Sequence, residues 1–437
     1  MLLGALASDI TLERYSTPLN RALTHPNKQP KEMALNVLTR AVEEPRLTDL
    51  ITSDSSVLTN VIGCLCDEEL SVGEKAVQLL VRLGQTPAGL AGLCSDAVRP
   101  AIVEGTSRSD VNKIRLYQVV IEVGISTPDS LATFKREGFT EQVIGHLSSD
   151  DVLSRLAILE ELTRLAVVKH GFEFLRTEGV FKLLVEQIKE CRDHPLATIV
   201  YPGLLKFFGS VGHEFPDELL NNYPEVIEAL LEAVDSEDCV ITITALETVG
   251  FVATSVEGKA LLSKLEDKSI RHVLNRMSEA SSRLANEWRI RALFAMANVL
   301  HVELEESVEE LTKISELWYG LLGGDEILAN LLGVAKQPFP EMKSAALQVI
   351  KEVAGQPWGV TKIVNCPGLV DFLLDRSTES SLEGARAKYE VVKALVECSV
   401  SEGALDELTK TRLNEFITQG PCHEPRSLEV ALEGQPH

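Results

Sequence analysis

Between Asp151 and Ala166 the chain reads DVLSRLAILEELTRLA, with Leu165, Leu162, Ile158 and, more loosely, Ser154 falling one, four, eight and twelve places before the end. That spacing is one face of an α-helix. A Gly-bearing turn follows at Gly171, then Phe172, Phe174 and Leu175, a second turn at Gly179, and an apolar stretch from Val180 to Ile188. The same frame returns along the chain. It ends at Gly84 with Leu83, Leu80, Ala76 and Val72, and at Gly124 with Val123, Val120 and Leu116. Further copies end at Ala253 (Val252, Val249, Ala245, Ile241) and at Ala354 (Val353, Ile350, Ala346, Met342). Looser ones lie near Gly209 (Phe208, Leu205, Tyr201) and Ser399 (Leu395, Val391, Ala387), with a degenerate unit around Arg289–His301. Successive ends stand about 40 to 44 residues apart, stretching to about 48 and 53 around the degenerate unit, which is the period of armadillo and HEAT repeats. One such helix would fit many helical proteins, but several in register predict an all-α, armadillo/HEAT-like solenoid of stacked repeats. The small residue eight places before three of the ends (Ala76, Ala245, Ala346) suits close helix–helix contact.

The expected organisation is residues 1–66 as partial or capping N-terminal repeats, 67–419 as the repeat array and 420–437 as a flexible tail. Leu35–Val42 and Val57–Leu65 read as helices on either side of Pro45. An open solenoid end needs a cap, so the abrupt start at Met1 suggests that part of the N-terminal array lies outside this form of the protein. The Gly and Pro residues fall between apolar stretches, where they end one helix before the next begins. CVITIT at Cys239–Thr244 is β-branched but occupies a helix frame. The closing GPCHEPRSLEVALEGQPH has breakers and no apolar period.

Lys and Arg total 42 against 65 Asp and Glu, a net charge of −23. Such a surface repels phosphate backbones, so nucleic-acid binding is not expected as the main activity. It fits either a solvated acidic exterior or a basic partner surface. The eight Cys follow no disulfide spacing and read as reduced thiols of a cytosolic or nuclear protein. Cys64 and Cys66 lie about 200° apart around a helix, which suits core packing better than a shared metal ion. No apolar run is long enough to span a membrane, and MLLGALA lacks the basic residues of a signal peptide.

The chemistry of an enzyme is not visible. HExxH, GxxxxGK[ST], GxSxG and GxGxxG are absent, the nine His are isolated, and Cys422-His423 sits in the tail without a packed third group. No catalytic, metal or cofactor site is expected, and His170 and His301 read as helix C-terminal residues that suit the dipole.

A binding surface is the remaining expectation. If residues one, four and eight before each end face the core, those two and six before it face outward across a concave groove. The resulting ladder is mostly polar and acidic, and Glu122, Glu160, Glu247 and Glu352, with Phe207 and Phe251 as apolar anchors, are the candidate partner-binding residues. A basic partner would fit by charge complementarity. Glu303, Glu305, Glu306, Glu309 and Glu310 form a separate acidic patch that reads as a solvated face or as a second contact for such a partner. Importin-type carriers carry Trp with Asn four places on along this ladder. Here Trp288, Trp318 and Trp358 are followed by Ala292, Leu322 and Lys362, which argues against nuclear import.

Several strings are far more specific than the repeat spacing. YPGLLKFFG (Tyr201–Gly209), SVEGKALL (Ser255–Leu262), QPFPEMKSAAL (Gln337–Leu347), QPWGVTKIVNCPGLVDFLLDRS (Gln356–Ser377) and AKYEVVKAL (Ala387–Leu395) resemble the proteasome base-assembly chaperones among the 26S non-ATPase regulatory subunits. RLYQVVIEVGISTPDSL (Arg115–Leu131) is similar to them too, so the resemblance runs over about Asp67 to Gln419. It departs before Cys66, where the family has a longer helical region. The resemblance implies a non-enzymatic, cytoplasmic or also nuclear chaperone, monomeric when free. Such a protein binds the C-terminal domain of one proteasomal AAA ATPase subunit together with neighbouring base subunits, and leaves before the 26S particle is complete. Periodicity alone would equally allow a general scaffold or trafficking adaptor.

Overall fold

The structure is a computed structural model that describes residues 17–44, 48, 51–52, 55–191, 197–265, 267–302, 309–379, 381–399 and 405–422. It divides into two compact units, residues 1–211 and 212–437. Helices make up both units, and no strand occurs among the described residues. The fold is an all-α, armadillo/HEAT-like solenoid.

In the first unit the order is α1 (Lys28–Ala41), α2 (Ser55–Leu65), α3 (Leu70–Gly84), α4 (Pro87–Leu93), α5 (Arg99–Arg108) and α6 (Asp110–Ser126). It continues with α7 (Pro128–Arg136), α8 (Phe139–Gly145), α9 (Val152–Ala166), α10 (Lys169–Thr177) and α11 (Val180–Cys191). The division between units falls within α12 (Ala197–Glu214). The second unit has α13 (Pro216–Asn222), α14 (Pro224–Ala233), α15 (Cys239–Val252), α16 (Val256–Ser263), α17 (Asp267–Arg283), α18 (Asn286–Leu300) and α19 (Glu309–Leu322). Then come α20 (Asp325–Ala335), α21 (Pro340–Ala354), α22 (Pro357–Asn365), α23 (Leu369–Leu374), α24 (Leu382–Ser399) and α25 (Glu407–Gln419). The CVITIT segment lies in α15, so packing overrides its β propensity.

The helices that carry the repeat frame form a spine in each unit. In the first, α1 packs on α3, α3 on α6 and α6 on α9; in the second, α15 packs on α18, α18 on α21 and α21 on α24. Their frame residues make the core: Val72, Ala76, Leu80 and Leu83 are buried, as are Ile158, Leu162 and Leu165, and Ile241, Ala245, Val249 and Val252. Neighbouring spine helices run parallel. Lys28 of α1 pairs with Glu69 before α3 (3.3 Å), while near the other ends Arg82 reaches Glu43 (3.3 Å). Arg115 of α6 donates to the carbonyls of Leu65 and Asp67, both at 2.8 Å, where α2 gives way to α3.

Local chemistry fixes where helices start. Ser109, Asp151 and Asp238 cap α6, α9 and α15, accepting from the backbone N–H of Val111, Leu153 and Val240. Thr86-Pro87 and Thr127-Pro128 pair a capping hydroxyl with a proline at the first helical position, where a missing N–H costs nothing.

After α3, α9, α15 and α21 the chain turns into the next helix through a corner that depends on a glycine. A Cβ on Gly89 would lie 2.0 Å from the Leu83 carbonyl oxygen, and one on Gly171 2.1 Å from that of Leu165. In the second unit, Gly258 and Gly359 press in the same way on Val252 and Val353, at 2.1 and 1.8 Å. At Gly89 the capping hydroxyl bridges the corner: Thr86 accepts the glycine N–H and donates to the Leu83 carbonyl at 2.7 Å, whereas Ser255 accepts the Gly258 N–H and has the His213 carbonyl (3.0 Å) as a nearer acceptor than Val252 (3.3 Å). Replacing Gly258 with Ala must move backbone, so urea unfolding should show at least the ~1–3 kcal/mol loss of an overpacked site. Gly333→Ala in α20 has open space around it and should instead stabilise by about 0.4–1 kcal/mol.

One buried cation crosses the second spine. Lys259 of α16 is almost fully buried, its ammonium donating to the Val299 carbonyl at 2.5 Å and lying 4.9 Å from the Trp318 ring centroid. Burial lowers its pKa from 10.5 to about 7, although the Glu352 carboxylate opposes the shift. Between those values the unfolded chain binds a proton that the folded one lacks, so this group adds stability as pH rises through the window. Lys259→Met should therefore melt above the parent at pH 6, by on the order of 1 kcal/mol, with the gap closing toward pH 10 in a thermal-unfolding series.

Candidate partner-binding surface

The candidate residues lie along the outward rows of the spine helices. In the first unit Gln78 and Arg82 are exposed on α3, while Gln118 and Glu122 are half-buried on α6. Glu160 and Arg164 are exposed on α9. A groove of about 800 Å³ runs between α3 and α6, lined by Val77, Gln78, Val81, Ile114, Gln118 and Glu122 among others. Glu122 is not free to meet a partner: it accepts from Gln118 Nε2 and from Arg164, both at 3.0 Å. Arg164 also reaches Glu161 at 3.1 Å. Burial works against its charge, but the two carboxylates outweigh it and hold its pKa up. Glu160 stands exposed, with no ion pair to it among the described residues.

Phe207 is a correction. It is fully buried on α12, in a cluster where its ring lies 5.8 Å from Phe181 and 5.2 Å from Phe208. The frame residues Tyr201, Leu205 and Phe208 are buried as expected, but the apolar arc is wider, taking in Leu204 and Phe207. Gly203 lets α12 approach α9 closely, since a Cβ there would meet Leu156 at 2.8 Å. The outward row therefore shifts by one residue, to Ile199, Pro202 and Lys206.

In the second unit the acids are again engaged. Glu247 of α15 receives a two-pronged contact from Arg291 of α18, Nε to Oε1 and Nη2 to Oε2, both at 2.6 Å. This pairing raises the Arg291 pKa, and the guanidinium also lies 5.3 Å from the Trp288 ring. Glu352 of α21 accepts from Gln348 at 2.7 Å and meets His301 Nδ1 at 2.8 Å. Phe251 does face outward: it is 42% exposed and stacks on His213 with centroids 4.5 Å apart. A second ring, Phe294 on α18, is 43% exposed and was not among the sequence candidates. It belongs to the row Glu287, Arg291, Phe294 and Asn298, whose helical spacing was present in the degenerate unit but carried no clean frame.

Glu303, Glu305 and Glu306 of the acidic patch lie outside the described residues, whereas Glu309 and Glu310 are exposed on α19, Glu309 paired with Lys313 at 2.7 Å. Cys64 is buried, its thiol pushed up to about 12 by desolvation. His170 contacts the carbonyl of Gly124, at the end of the preceding frame, at 2.9 Å. Together these contacts describe a polar row whose carboxylates are largely balanced within the fold, with two outward phenylalanines in the second unit. Because Phe207 is core, Phe207→Ala should cost about 3–5 kcal/mol in chemical denaturation, far more than a surface ring would.

The family described as Proteasome non-ATPase 26S subunit matches residues 1–436. The 26S proteasome non-ATPase regulatory subunit 5 of Homo sapiens is 31% identical over 99% of this chain and 86% of its own length. That of Mus musculus is 31% identical over 95% and 82%, and that of Drosophila melanogaster 25% over 99% and 84%. Among solved structures, the chain is similar to one in the Kap95:Nup1 complex, with a TM-score of 0.59 at 12% identity over 95% of this chain and 54% of that one. Kap121p bound to Pho4p gives 0.52 at 15% identity over 93% and 43%. The structural likeness is one of fold alone. The sequence likeness goes further, and the chain belongs to the proteasome non-ATPase 26S subunit family, among relatives named 26S proteasome non-ATPase regulatory subunit 5.

Proposed function

We propose that the chain is a chaperone for assembly of the base of the 26S proteasome regulatory particle. It binds the C-terminal domain of one AAA ATPase subunit, joins neighbouring base subunits in a precursor, and is released before the mature 26S particle forms. The observation that carries the reading is the family match along residues 1–436, supported by a spine that presents rows of outward side chains in each unit. The role is steric and needs no catalysis or cofactor: an ATPase C-domain held on the outward rows cannot place its tail on the core particle. The protein acts in the cytoplasm, and in the nucleus as well, and is a monomer when free.

Within the surface, affinity rests on the rings. Phe251 and Phe294 are exposed aromatics, and such residues supply about 2 kcal/mol or more each where a partner buries them. Glu247 and Glu352, already paired within the fold, constrain the orientation of the partner. Affinity purification from cells should recover free ATPase subunits with little mature 26S particle, and recovery of vesicle-coat or nuclear-pore partners in their place would overturn the proposal. Phe251→Ala with Phe294→Ala should weaken capture of a purified ATPase C-domain at least tenfold while leaving the melting temperature within a degree or two of the parent. ATPase and hydrolase assays on the purified chain should stay at background.

A further inference from the structure

The first unit carries a second pattern at one margin of its spine. Leu70 is the first residue of α3, Val111 the second of α6, and Leu153 the second of α9; they are 63%, 55% and 74% exposed. Ile199, at the third position of α12, continues the series at 46%. Because the spine helices run parallel, these four side chains stand at the same end of adjacent helices. With helix axes about 8–10 Å apart, the stripe is about 27 Å long. In the second unit the corresponding starts carry half-buried Val240, then Glu287 and Glu341, and an exposed leucine returns at Leu382 of α24, so aligned apolar starts on adjacent helices occur in the first unit and not along the second spine. Isolated surface leucines need no explanation, but large apolar residues aligned on one margin do.

The stripe is bordered by acid. Glu68 and Glu69 before α3, Asp110 at the start of α6, and Asp150 and Asp151 before α9 are exposed. Lys28 pairs with Glu69 at 3.3 Å and Lys113 with Asp110 at 2.7 Å, and Arg115 lies beside Leu70 and Val111 with its guanidinium held by the Leu65 and Asp67 carbonyls; the five acids outnumber these three cations and leave the border net negative. Asp151 also caps α9 through the Leu153 and Ser154 N–H groups. A row of exposed aliphatic side chains inside an acidic border selects its occupant by charge. An anionic membrane, a nucleic acid and a second copy of a chain with net charge −23 are each repelled. A cationic segment is attracted.

We infer that the Leu70–Val111–Leu153–Ile199 margin is a docking stripe for a cationic amphipathic helix of a protein partner, about 18 residues (~27 Å) long. Its leucine-type face covers the stripe, and its Lys and Arg residues, at the edges of that face, reach Glu68 and Asp150. Part of the stripe adjoins the groove between α3 and α6, since Leu70 and Val111 also line it. Ile199 also heads the outward row of α12, so the two surfaces meet there, but the inference stands on the stripe and its border and does not depend on which protein the outward rows bind.

The test uses the full chain and a fluorescein-labelled, 18-residue Leu/Lys peptide whose leucines fall on one helical face, alongside a scrambled peptide of the same composition. Fluorescence anisotropy at physiological salt should show the amphipathic peptide binding at least tenfold tighter than the scrambled one. The variant Leu70→Ser/Val111→Ser/Leu153→Ser keeps the net charge and should lose that preference. Leu153→Ser alone, at the most exposed position, should lose part of it, and this variant decides the matter if the triple variant fails to fold. Leu408→Ser, at an exposed leucine on α25, should retain it. Equal affinity for both peptides, or a preference that survives the triple and single stripe variants or vanishes with Leu408→Ser, would show that bulk negative charge alone draws the peptide and would overturn the inference. Capture of the ATPase C-domain is measured separately, so failure of one leaves the other readable.

Discussion

The fold rests on a carbonyl left without an intrahelical partner at the ends of α3, α6, α9, α15 and α21. A helix terminus leaves its last carbonyls without intrahelical partners, and here the chain turns sharply just after them. At Gly89 the solution has two parts: the following helix lays a bare Cα against the carbonyl, and the capping hydroxyl of Thr86 donates to it; at Gly258 the bare Cα meets the carbonyl in the same way. Where the glycine is replaced, the same need is met differently. Ser130, third in α7 as Gly89 is third in α4, sends its own hydroxyl to the Val123 carbonyl at 2.7 Å. The angle between a spine helix and its successor is thus set by backbone contact instead of by side-chain volume. That angle decides which face of the spine helix is covered. The frame residues are core, and the outward rows outward, because the corner holds the next helix on one side.

This dependence explains what the sequence made legible. Where the frame is clean, as in α3, α9 and α15, residues one, four and eight places before the end are buried and Gln78, Arg82, Glu160 and Phe251 face out. Periodicity fails where a second packing partner widens the apolar arc. Phe207 sits at an outward position by count, yet Phe181 of α11 and the close approach permitted by Gly203 turn it inward. No single-helix pattern contains that information, because it belongs to another helix. Phe294 is the converse case: its own row is regular, but the surrounding repeat is too irregular to supply a frame end from which to count.

Charge was legible as composition and not as arrangement. The surplus of acid suggests a ladder waiting for a basic partner, but Glu122, Glu247 and Glu352 are met by Arg164, Arg291 and His301 from adjacent spine helices. Each pair spans about one repeat of sequence, so it cannot be recognised as an i,i+4 contact within a helix. These pairs are partly exposed and add little stability individually. Their consequence is for binding. A partner cation that approached Glu247 would have to displace a two-pronged guanidinium and recover no more than it replaced. Net attraction is left to carboxylates without an internal cation.

That distinction separates the two surfaces of the molecule. On the outward row of the second unit, compensated charge surrounds the rings of Phe251 and Phe294, so desolvated aromatic area carries affinity and the ion pairs constrain orientation. On the N-terminal margin of the first unit, the aliphatic row of Leu70, Val111 and Leu153 lies beside carboxylates such as Glu68 and Asp150, which are exposed and without an ion pair among the described residues. Salt screens exposed charges over about 8–10 Å at physiological ionic strength. Contact at the margin should therefore weaken steeply as salt rises, and contact through the aromatic row should not. The same repeat thus supports two modes of recognition, distinguished by whether its carboxylates find a partner on the neighbouring helix.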